Sequence, residues 1–108
     1  MKNYKVTTMQ HMFNGYYSLT CLNLNSFDTL NATAFDDMFR SCGRLKTIYV
    51  GDKFTTANKK SENLVRNMFW KDYKLVGGMG TVFNSTKIND EYAHIDGGPS
   101  NPGYFTAK

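Results

Sequence analysis

Only two cysteines, two prolines and one tryptophan occur among the 108 residues. Two thiols, Cys21 and Cys42, cannot build the disulfide framework of a small secreted scaffold. They read as small core thiols, with a single bridge between them left open because its geometry is demanding. Both prolines, Pro99 and Pro102, lie in 97–103, so no Pro-rich linker divides the chain. No stretch approaches the ~20 apolar residues needed to span a bilayer. Met1–Val6 lacks the apolar centre of an export signal, which leaves a cytoplasmic protein or a piece of a longer exported chain. Acidic residues number 9 against 13 Lys+Arg, a net charge of +4. That charge is thinly spread, with Lys59-Lys60 the only basic doublet, and it gives no footprint for nucleic acid.

Catalytic and metal-binding patterns are also missing. There is no Cys-x-x-Cys, no His-Glu-x-x-His and no acidic calcium loop, and Asp90-Glu91 with Asp96 reads as turn chemistry. Gly77-Gly78-Met79-Gly80 neither follows a convincing strand nor opens a helix, so it is no phosphate cradle. A nucleophilic pair of Cys42 with His94 is the one enzymatic reading, and nothing in the spacing supports it. The expectation is no cofactor, no metal and no catalysis.

What the chain does have is apolar and aromatic content, 41% and 15%, which excludes disorder and supports one compact domain. It also repeats. Met12-Phe13, Met38-Phe39 and Met68-Phe69 are each followed, seven residues after the Met, by Leu19, Leu45 and Leu75. Leu22 and Leu24 continue the first unit, Ile48 and Val50 the second in the same register, and Phe27 and Phe54 close them. Periodicity assigns a helix to each Met-Phe segment, because Ala34, Phe35, Met38, Phe39 and Cys42 fall on one helical stripe, as do Leu64, Val65, Met68, Phe69 and Tyr73. Thr33 suits the N-cap of the second and Gly43 its left-handed end. Leu19–Leu24 and Leu45–Val50 read as short strands, and equivalent strands reached through a helix run parallel. The predicted architecture is α/β: a short right-handed leucine-rich-repeat-like solenoid with parallel strands, helices on the opposite side, and repeats at about 1–30, 31–56 and 57–80. A small β-rich cap follows over 81–108, with strands at Thr81–Phe83, Tyr92–Ile95 and Tyr104–Thr106.

Met38-Phe39-Arg-Ser-Cys42-Gly-Arg-Leu45-Lys-Thr-Ile48-Tyr-Val50, followed by Phe54-Thr55, resembles the leucine-rich repeats of the BspA-like bacterial surface protein family. The tail from Tyr92 through Gly97-Gly-Pro-Ser-Asn-Pro-Gly103 to Tyr104-Phe-Thr is similar to the segment that closes such arrays. Tyr16 and Asp72 stand where the repeats usually carry Cys, which argues against a shared metal site. The resemblance implies export, a cell-surface or extracellular location, and non-enzymatic binding to host or neighbouring-cell proteins.

On stacked strands the outward positions form columns, Thr20 beside Lys46, Cys21 beside Thr47 and Asn23 beside Tyr49. Thr20, Asn23, Lys46, Thr47 and Tyr49 are the candidate binding face, with Tyr49 as a rigid aromatic anchor, and Trp70 is a further interaction candidate. The competing readings are an ordinary solvated sheet face and a structural spacer with no ligand of its own. An uncovered flank of Met9, Met12 and Phe13 predicts self-association or a frayed N-terminus.

Overall fold

In the computed structural model, which describes residues 4–108 with side chains from Val6 onward, the Met-Phe segments are chains of turns and not helices. Three-residue bonds run within each segment: Met38 N–H to the Phe35 carbonyl (3.2 Å), Arg40 to Asp37 (3.3 Å), Cys42 to Phe39 (3.3 Å). The intervening N–H groups turn sideways instead. Those of Met9, His11, Phe13 and Gly15 donate to the carbonyls of Ala34, Asp36, Met38 and Arg40, and those of Phe35, Asp37, Phe39 and Ser41 to Leu64, Arg66, Met68 and Trp70. Half of each segment's amides are thereby spent on the next segment, which no α-helix permits.

The backbone cause is a left-handed residue at every fourth position. His11 and Gly15, Asp37 and Ser41, Asn67 and Lys71 have φ of 57°, 79°, 56°, 62°, 56° and 65°. Each pair lies one residue before and three after the Met, where a left-handed residue stops helix propagation. Most are Gly, Asn, Asp or His, the types that best tolerate it. Gly43, expected as the left-handed end, is not in that region; Ser41 takes the role.

The predicted α/β leucine-rich-repeat-like solenoid is therefore overturned. No α-helix exists among the described residues, and the only helical element is a four-residue 3-10 turn, Glu62–Val65, whose preceding Ser61 makes no side-chain cap. The Cα envelope measures 28 × 28 × 27 Å, as wide as it is long. The stripe that suggested a helix is still buried: Phe35, Met38, Phe39 and Cys42 are fully so and Ala34 nearly. Turns repeating every four residues bring two of each four inward, and that period imitates the helical 3.6.

Five short strands are present among the described residues: β1 (Tyr4–Lys5), β2 (Cys21–Leu24), β3 (Phe27–Asp28), β4 (Thr47–Val50) and β5 (Phe105–Ala107). β2 pairs β4 in parallel with Cys21 opposite Thr47, Leu22 opposite Ile48, Asn23 opposite Tyr49 and Leu24 opposite Val50. β1 and β3 form a separate parallel pair. The third unit supplies no strand. β5 takes its place, parallel to β4 with Ile48 opposite Phe105 and Tyr49 opposite Thr106. The strands expected at Thr81–Phe83 and Tyr92–Ile95 reduce to isolated bridges, Val76 to Val82 and Ile95 to Phe105.

Between turns and sheet lies one core. The rings of Phe13, Phe39 and Phe69 stack in a column, centroids 5.8 and 5.5 Å apart and near parallel. Tyr104 meets the end of that column edge-on at 4.9 Å. Its buried hydroxyl accepts from the Asn84 N–H (3.0 Å) and donates toward the Lys87 carbonyl (2.8 Å). The residues after 80 also finish the turn ladder, since the Phe69 N–H donates to the Ile88 carbonyl and the Asn67 N–H to Asn89 Oδ1, both at 2.9 Å. Met9 is 1% exposed and Met12 and Phe13 are half-buried, so the bare apolar flank expected there is largely covered. No helix among the described residues is long and apolar enough to cross a membrane.

Candidate functional site

Strand alternation sorts the side chains of β2 and β4 into two faces. Leu24, Ile48 and Val50 are buried, while Cys21 and Asn23 are exposed and Thr47 and Tyr49 half-exposed. Three of the six expected site residues therefore belong to one face, Asn23, Thr47 and Tyr49, while Thr20 and Lys46 lie just before β2 and β4. The Asn23 carboxamide is partly engaged, its Oδ1 accepting from the Asn25 N–H (3.0 Å) in the turn after β2. Lys108 Nζ lies 4.6 Å from the Tyr49 ring centroid, so one face of the ring already carries a cation. Both thiols are free, Cys21 on this surface and Cys42 in the core.

Trp70 is elsewhere. It sits on the third turn segment, half-buried, with the Arg40 guanidinium 4.4 Å and Lys71 Nζ 4.5 Å from its ring centroid. Two cations thus lie over its ring.

Lys46 and Thr20 open onto a cleft of about 500 Å³, whose other walls are Arg44 and Lys74. Arg44, Lys46 and Lys74 are all exposed, and none of them is ion-paired among the described residues. Two other basic groups are ion-paired: Lys59 with Asp90 (2.8 Å), which holds its ammonium above the ordinary lysine range mainly through that hydrogen bond, and Arg40 with Asp37 (3.3 Å). Arg44 and Lys74 were not among the residues expected from sequence. Their signal was the repeat register, for both stand six residues after the Met of their unit, where stacking makes them neighbours.

A second cleft, about 510 Å³, lies at the carboxyl ends of β2, β4 and β5, with Asn25, Phe27, Val50, Asp52, Lys53 and Ile95 among its walls. Its mixed lining converges on no single chemistry. His11, Asp36 and Asp37 place potential ligand atoms within 4.8 Å of one another, but His11 is the exposed end of an ion-pair cluster in which Arg40 and Gln10 already occupy the carboxylates.

The Cys42 thiol is pushed up to about 12, by burial first and by neighbouring Asp72 second, and its Sγ–H is engaged with the Phe13 carbonyl (3.1 Å). At neutral pH it stays a thiol, and it lacks the thiolate character that a nucleophile requires. Comparison with protein-family profiles, with curated proteins and with solved structures found no match.

Proposed function

We propose that this chain is a non-catalytic binding module of a bacterial surface protein, attaching to host or neighbouring-cell proteins through the exposed side of the β2–β4–β5 sheet. The likeness of its Met-Phe segments and tail to BspA-like surface proteins supports display outside the cell. The observation that carries the reading is the row Asn23, Tyr49 and Thr106, held side by side across three strands by register. Strands fixed by hydrogen bonds hold such a row rigid, so little ordering entropy opposes association. A ring on a rigid strand is also a usual interface anchor.

The test is attachment of cells displaying the protein to immobilised matrix proteins. Lys46→Glu combined with Tyr49→Ala is expected to reduce attachment at least tenfold while leaving thermal stability within a few degrees. Unchanged attachment would favour a spacer with no ligand of its own.

A further inference from the structure

Stacking of successive repeats concentrates positive charge at one place. Arg44 and Lys74 occupy the same position of consecutive units, and Lys46 and Thr20 come from the paired strand region beside them. Three cations facing one cleft repel one another, and none is ion-paired with an acidic group among the described residues. The cleft volume lies within the usual range for ligand sites.

We infer that this cleft binds the sulfate esters of an anionic polysaccharide, with Arg44, Lys46 and Lys74 neutralising the oxyanions and the Thr20 hydroxyl donating to one of them. The assignment rests on the attachment reading above and gives it a second kind of partner, at residues that barely overlap the strand row. Tetrahedral sulfate offers three oxygens to donors arriving from different directions, which suits three cations on separate turns and strands. A planar carboxylate presents only two oxygens, one fewer than the cations at the cleft. Nucleic acid shares the oxyanion chemistry, but its single strands are held by stacking on free aromatic faces, and no aromatic side chain lines the cleft.

Titration of the intact protein with a sulfated oligosaccharide, its desulfated counterpart and a DNA oligonucleotide of matched charge separates the outcomes. Binding to the sulfated sugar alone is expected, weakening steeply as salt rises from 50 to 300 mM, with amide shifts at Thr20, Arg44, Lys46 and Lys74 in the unmodified protein. Arg44→Ala with Lys74→Ala should weaken it at least tenfold, while Tyr49→Ala leaves it within twofold. Equal binding of sulfated and desulfated sugar, tighter binding of DNA, shifts confined to other residues, or no binding would each overturn the assignment. Loss of protein attachment in the Tyr49 variant with sugar binding intact would show the two surfaces failing or holding independently.

Discussion

Asp96→Ala is expected to remove about 3–5 kcal/mol of stability. Its carboxylate is 5% exposed and has no cationic partner; it is held by hydrogen bonds alone. Oδ2 accepts from the N–H groups of Met79 (2.8 Å) and Thr81 (3.0 Å). Oδ1 accepts from the Thr81 hydroxyl (2.8 Å) and the N–H groups of Gly98 (3.0 Å) and Gly103 (3.3 Å). Burial pushes its pKa up, but the donors from Thr81, Gly98 and Met79 outweigh that and leave it well below the usual carboxylate range. Truncation strands four backbone donors and unties the 77–81 turn from the 96–103 loop. Glycine at 77 belongs to the same arrangement, since a Cβ there would lie 2.6 Å from Asp96 Oδ2 and collide with the Gly103 carbonyl. A fall in Tm of about 12 °C or more is the expected reading for a domain of this size, and a fall under about 4 °C would contradict it. Because the folded-state pKa is depressed, this contribution is complete above the ordinary carboxylate range and is lost only on strong acidification.

Asp72 acts in the opposite sense. It is fully buried, its Oδ1 accepts from the Cys42 N–H (2.8 Å), and its Oδ2 has no partner. Burial lifts its pKa from 3.8 to about 8, against a smaller downward pull from the Cys42 N–H. The folded state therefore keeps a proton that the unfolded chain has released, and stability falls as pH rises from about 4 to about 8, by up to about 1.4 kcal/mol per pH unit. Asp72→Asn keeps the acceptor for Cys42 and cannot ionise. It is expected to flatten the pH dependence of urea unfolding between pH 5 and 8 and to exceed the unmodified protein by several kcal/mol at pH 8. Every other side chain is the same in both proteins, so the difference between the two slopes isolates Asp72. Parallel slopes would contradict the assignment.

Much of this arrangement was legible in the residues, and the reason is register. Leucine spacing alone places Leu22 beside Ile48 and Asn23 beside Tyr49, because side-chain alternation makes any one-residue slip expel the apolar row. Burial of Phe35, Met38, Phe39 and Cys42 was equally readable. Their local conformation was not. Consecutive four-residue turns and an α-helix bury nearly the same positions, and the distinguishing feature is the left-handed backbone at Asp37 and Ser41, for which neither residue is diagnostic. The placement of β5 was hidden for another reason: pairing of Phe105 with Ile48 joins residues far apart in sequence, and no local pattern specifies it. In the candidate site, Thr20 and Lys46 followed from strand register, whereas Arg44 and Lys74 lie in turns where alternation says nothing. Spacing likewise cannot show that Arg40 and Lys71 lie over the Trp70 ring.

Everything rests on sideways hydrogen bonds between successive Met-Phe segments. NMR scalar couplings across those bonds test this most directly. Coupling of the Phe13 amide nitrogen to the Met38 carbonyl carbon, and of Phe39 to Met68, is predicted, since the corresponding N–O distances are both 2.9 Å. Couplings confined to residues four apart within 34–42, with no signal between segments, would contradict it and restore the helices.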